Sequence, residues 1–337
     1  MFGVVERRLP TDDDGAAGRL LVASWALFAG LTVLFGAATV SGATVPIRLQ
    51  SIAYLTLMLG VSLPHGGFEH VANLRGRGES FQARYLLAYL LLIGASLTVF
   101  VLAPVAGLAL AVAITCLKGG FGGLHVLEST TAGDHLRGRS QRVLGALVRG
   151  GAVMVVPMVA HPGVFYMVSD YMVSLFEPGA MAGAGWVFES PARDVLGGVY
   201  LLALLAHLGW GYLRADGPGS WLPEAGETLL LVAFFAVVPP ILAVGVYFPC
   251  WYATRQTARL SADGRSLRAV LARVARGAVA PWLGALVLLA ALAVALPSAP
   301  TTPTGWVALY SVFVAVIAVP HVLVGSWLDH QRGIWTT

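Results

Sequence analysis

Residues 105–127 read VAGLALAVAITCLKGGFGGLHVL, and the fold class turns on them. The stretch has one charged side chain, Lys118, and a bilayer-spanning helix needs about 20 mostly apolar residues. Working outward, runs of the same kind recur near 19–40, 50–64, 84–103, 143–160, 195–213, 227–252, 278–297 and 305–328. The 337-residue chain is 57% hydrophobic and 11% charged, against roughly 25% charged in soluble domains. That leaves too little polar surface to cover a soluble protein of this size. The expected fold is all-α, a polytopic transmembrane bundle of eight to ten helices in the cell (cytoplasmic) membrane. Residues 1–18 form a cytoplasmic tail with no signal-peptide cleavage pattern, 19–330 a single membrane domain, and 331–337 a C-terminal tail. Cys116 and Cys250 fall in apolar stretches and read as free thiols.

Arginine placement orients the bundle. Arg7 and Arg8, then Arg75, Arg77 and Arg84, then Arg137, Arg139 and Arg142 share one side if every early run spans. That side should be cytoplasmic. The basic stretch from Arg255 to Arg276 should join it as a positive loop at the membrane surface, and nucleic acid is not an expected partner. Nine simple spans would place that loop outside. Either 164–176 joins a broken span, or 227–252 re-enters at Pro239-Pro240.

Ionisable groups inside the bilayer cost at least ~2.5–3.5 kcal/mol each, so they are candidates for function. Pro64-His65-Gly66-Gly67-Phe68-Glu69-His70 puts His65 and Glu69 four apart on one helical face, a spacing that suits a metal ligand and its partner. The bland alternative is a wet helix end. Around Lys118, the glycines 119, 120, 122 and 123 allow close approach of a backbone or flat ligand. His125 and Glu128 again share a face. Lys118 can pair with a carboxylate, form a Schiff base with an aldehyde, or snorkel. His321 follows Pro320 inside the last apolar run. His161 and His207 read as satisfied structural histidines. Tyr252 and Gln256, four apart, end an aromatic-rich segment.

These motifs, in order, resemble the Brp/Blh family of integral membrane β-carotene 15,15′-dioxygenases. PHGGFEH is similar to the family's PHGAxD, GGFGGLH to HFGxAD, and VPHVLV to the closing PHM motif. FPCWYATRQ after PPILAVGVYF resembles the segment ending in WHSxRH, and Glu227 the glutamate ahead of it. The resemblance implies one non-haem Fe(II) held by four histidines. Only His65 survives the carry-over. The others fall on Gly120, Tyr252 and Gln256, and one imidazole cannot hold an Fe(II) oxygenase centre.

The resemblance implies a carotenoid or retinal ligand, an apolar tunnel open to lipid, and a rhodopsin-type acceptor as a possible partner. Candidate tunnel residues are Phe121, Gly122, Tyr247, Phe248, Trp251 and Lys118, with ordinary packing as the alternative for the aromatics. A divergent carotenoid- or retinal-binding accessory protein with an incomplete site is the leading expectation. Oxidative cleavage through a rebuilt site is the alternative, with His65, His125 and His321 as metal candidates and Glu69, Glu128, Tyr252 and Gln256 as substitutes. A transporter or assembly factor for an apolar ligand would show broken helices, present at Pro239-Pro240, and a repeat, which is not found.

Overall fold

Proline placement divides the apolar sequence into helices. A proline starts a helix well and bars the preceding residue from helical geometry. Pro104 thus separates α3 (Ala83–Leu102) from α4 (Pro104–Thr130), and Pro162 separates α5 (Arg139–Ala160) from α6 (Pro162–Ser174). The computed structural model describes residues 15–66, 83–130, 134–136, 138–261, 267–296 and 299–331. The remaining helices are α1 (Gly15–Val40), α2 (Ile47–Leu57), α7 (Ala192–Arg214), α8 (Pro218–Val237), α9 (Pro240–Val246), α10 (Thr254–Ser261), α11 (Leu267–Ala295) and α12 (Pro303–Gln331). Eight described helical stretches are long and apolar enough to cross a membrane, so the chain is a multi-pass membrane protein. No strand occurs among the described residues.

Two helices form the centre. Of the spanning windows, Arg139–Ala160 is 61% buried and Pro303–Pro320 is 72% buried, whereas Gly18–Val40 is 11% buried. Around α12 gather Tyr54, Phe100, Met172 and Phe313. Around α8 and α9 gather Phe28, Phe234, Phe235 and Trp251.

The run 227–252 is not one span. Pro239-Pro240 breaks it into α8 and a second helix, α9, which continues through a π-helical segment, Tyr247–Ala253, into α10. Pro249 has no N–H to give the preceding turn, which explains the local widening. Gly119 lies near Tyr247 and Gly122 beneath Tyr252, so the helix from 240 to 261 runs parallel to α4. His207 meets Gln141 and Tyr200 meets the Val148 carbonyl, so α7 is antiparallel to α5. The ends of α4, α7 and α10 therefore lie on the side where α5 begins. Among the described residues, Ser261 at the end of α10 thus lies on the same side as Arg139 at the start of α5. Helix α6 has 13 residues, about 20 Å, too short for a hydrocarbon core of about 30 Å.

Helices α4 and α5 meet backbone to backbone. A Cβ at Gly120 would strike the Ala146 carbonyl of α5, and one at Gly150 would strike the Cys116 carbonyl of α4. Small residues let membrane helices approach backbone to backbone. Gly120→Ala or Gly150→Ala should force the pair apart and cost about 1–3 kcal/mol. A lowered thermal midpoint in detergent is expected, and an unchanged midpoint for both would refute this packing.

Candidate ligand chamber and buried charge network

Two π-helical turns face each other at the heart of the bundle. Met58–Ser62 extends α2, and it touches Tyr247–Ala253. A π turn loosens the carbonyl ladder, and neighbouring side chains answer it here. Trp282 Nε1 donates to the Leu59 carbonyl at 2.9 Å, and the Tyr310 hydroxyl donates to the Met58 carbonyl at 3.3 Å. Beside these turns lies an apolar cavity walled by Met58, Phe165, Met172, Phe248 and Val314. Its few polar walls are hydroxyls, among them Thr115 and Ser311, the latter bonded to Tyr54 at 3.1 Å. Apolar walls with a few placed polar groups are the usual make-up of a small-molecule site.

His65 is buried one helical turn past the first π segment. Glu69 lies outside the described residues, and so do the side chains of His125, Glu128 and His321. Gly120 is closed by the Ala146 carbonyl, so no side chain fits there while α4 and α5 pack as they do. Tyr252 lies against Gly122, where a Cβ would come within 2.7 Å of its ring. Gln256 is buried. Among the described residues, no three His, Cys, Asp or Glu side chains could share a metal ion.

Of the aromatics expected along a tunnel, Phe248 lines the cavity. Tyr247 packs with Phe235, and Trp251 with Phe28, in the neighbouring core. Phe121 is 43% exposed and is not on the wall of this cavity. Lys118 Nζ sits 6.0 Å from the Tyr252 ring centroid.

Arg255 corrects the sequence reading more sharply. Counted there with a surface loop, it is 3% exposed and belongs to a buried ion network. Glu227 accepts from Arg149 Nη2 at 2.9 Å, from Arg255 Nη1, and from Trp25 Nε1 at 3.2 Å. Arg255 also stacks on Trp251, 3.8 Å from the ring centroid. One turn earlier on α8, Glu224 accepts from Thr228 at 2.8 Å, and His207 Nε2 lies 2.8 Å from the same oxygen. Gln141 Nε2 lies 3.2 Å from His207 Nδ1 and 3.1 Å from its carbonyl. His135 Nε2 lies 3.7 Å from the other Glu224 oxygen.

The signal for Arg149 was in the sequence, as a cation in the middle of an apolar run. The spacing Glu224-x-x-Glu227 put two acids on one face of a spanning helix. Removing one partner of a buried pair typically costs about 3–5 kcal/mol because the other charge is stranded. Glu227→Gln should therefore destabilise the protein by that order. Arg193, paired with Asp194 on an exposed face, gives the control: Arg193→Gln should change stability by less than about 1 kcal/mol. Thermal unfolding of both variants in detergent checks the contrast.

The family model for beta-carotene 15,15'-dioxygenase matches residues 56–329. A Halobacterium salinarum protein named "Probable beta-carotene 15,15'-dioxygenase Brp" is 46% identical over 92% of this chain and 91% of its own length. A second from that organism, named "Probable beta-carotene 15,15'-dioxygenase Blh", is 38% identical over 81% of this chain and 82% of its own. No solved structure matches the chain. With more than half the chain matched and the Glu227–Arg255 motif residues joined in one ion pair, this protein belongs to the beta-carotene 15,15'-dioxygenase (Brp/Blh) family.

Proposed function

We propose that this protein binds a carotenoid, or the retinal cut from one, in the cytoplasmic membrane, and that its own iron site is incomplete. The observation that carries the reading is the α4–α5 contact. Gly120, where the family pattern has a histidine, is filled by the Ala146 carbonyl. Tyr252 and Gln256 supply a phenol and an amide at the positions of two further imidazoles, weak replacements at an Fe(II) centre. The apolar cavity between the π turns supplies what a binding role needs, since a polyene partitions into the bilayer and can enter sideways between helices. The hydroxyls of Thr115 and Ser311 suit an oxygenated ligand end. Retinal held here would pass to a rhodopsin-type acceptor in the same membrane.

A second reading is iron-dependent cleavage of β-carotene through a rebuilt site. The names of the Halobacterium salinarum relatives favour it. His65, His125 and His321 are the imidazoles that would hold iron, with Glu69 or Glu128 as a carboxylate partner. Iron bound there would activate O₂ for oxidative cleavage of the central double bond.

Metal content and visible absorption of protein purified from a β-carotene-producing host separate the two readings. Bound intact carotenoid with iron far below one per chain is the expected result. Iron near one per chain, with retinal accumulating in the membranes, would establish the second reading. The cavity gives an independent check, because Ala111, on its wall, can be enlarged. Ala111→Phe should lower bound carotenoid about tenfold, the equivalent of ~1.4 kcal/mol. Carotenoid unaffected by that change would place the ligand elsewhere.

A further inference from the structure

Lys118 is the only lysine of the chain, and α4 holds it within the candidate span Pro104–Leu124. Its placement follows the cavity wall. Thr115 lines the cavity and stands three residues earlier, on the same helical face. On the parallel helix Phe248 lines the cavity, and its ring meets that of Tyr252 edge-on with centroids 6.2 Å apart. Tyr252 and Lys118 therefore sit about one helical turn beyond the cavity, with the Lys118 ammonium 6.0 Å from the Tyr252 ring centroid. Gly119 and Gly122 carry no side chain, and Tyr247 and Tyr252 of the parallel helix close over them. Tyr252 lies against Gly122, one turn onward on α4, so Lys118 reaches across to the next helix on the Leu124 side of its own position.

We propose that Lys118 captures the aldehyde end of a cleaved polyene as a reversible imine. This rests on the carotenoid reading above, since oxidative cleavage of a central polyene double bond leaves two carbonyl fragments. The neutral Nζ adds its lone pair to the carbonyl carbon, and the C=O π pair moves to oxygen. A proton passes from nitrogen to oxygen to give the carbinolamine. The nitrogen lone pair then expels the hydroxyl, which leaves as water with the second amine proton, and a C=N bond remains. No oxidant or reductant is consumed. Hydrolysis reverses each step and frees the aldehyde for an acceptor. The face of Tyr252 favours a cation, so it stabilises the protonated imine as it does the ammonium. The polyene chain extends from this anchor towards the cavity between Phe248 and Thr115.

The full chain in detergent is mixed with all-trans-retinal, reduced with sodium borohydride and mapped by mass spectrometry. A retinyl adduct close to one per chain, located at Lys118, is expected. It should fall at least about tenfold in Lys118→Arg and Lys118→Met. Lys118→Arg keeps the charge and much of the length, and carotenoid co-purifying with it from a β-carotene-producing host reports that the fold and chamber survive. No adduct on the unmutated protein, with carotenoid still co-purifying, overturns the imine and leaves the carotenoid reading standing. An adduct that persists in Lys118→Arg at the α-amino group overturns it too. An equal yield from the heat-denatured chain would mean simple amine reactivity and would also overturn it. Neither adduct nor carotenoid overturns both readings.

Discussion

One carboxylate constrains the whole bundle. Glu227 lies inside a spanning helix and is met by arginines from two others, Arg149 of α5 and Arg255 of the helix that runs from 240 to 261. Charges in a membrane interior are tolerated only when their partners arrive with good geometry. Three helices must therefore hold one relative depth and rotation. Trp25 adds α1 to the same acceptor, and Trp251 offers Arg255 its ring face. Residues 251–256, which carry the altered motif, are fixed by this junction before any ligand is considered.

The glycines of α4 follow from the same constraint. Arg149 Nε lies over Gly123, where a Cβ would sit 3.2 Å away, so a larger residue there would crowd the guanidinium that reaches Glu227. The reciprocal Gly120 and Gly150 contacts bring α4 and α5 together along the same seam. That seam leaves no room at position 120 for an imidazole. A histidine at 120 and the present α4–α5 spacing exclude each other. Two residues on, Gly122 leaves room for the Tyr252 ring of the neighbouring helix.

The sequence made the fold class legible because hydropathy reports burial in lipid directly. Helix boundaries at Pro104, Pro162 and Pro239-Pro240 were legible for a similarly local reason. The path after α8 was not, since a count of apolar runs cannot tell one long span from two helices joined at a proline pair. The contacts of Tyr247 and Tyr252 with α4 decide that. Among site residues, His65 and Glu227 were visible through the family resemblance, and Lys118 through its isolation in an apolar run. Arg255 was hidden, because an arginine next to Gln256, Thr257 and Arg259 reads as the start of a loop. Its burial depends on α1 and α8, which are distant in sequence. His207 read correctly as a satisfied histidine, but its partners Glu224 and Gln141 lie on two other helices and no local pattern named them.

The motif residues that this chain shares with the family pattern are ones its packing uses: Glu227, Arg255, the proline pair and the aromatics of the π turn. A fold can keep its apolar chamber and its charge junction while the groups that perform chemistry change, because chamber and junction are held by different contacts. Here the chamber depends on the π turns of α2 and residues 247–253, and the junction on α5, α8 and Arg255. Substitution at 252 and 256 disturbs neither, since Tyr252 is accommodated by Gly122 and Gln256 lies beside a guanidinium already fixed by Glu227. Chamber and junction can therefore be altered one at a time.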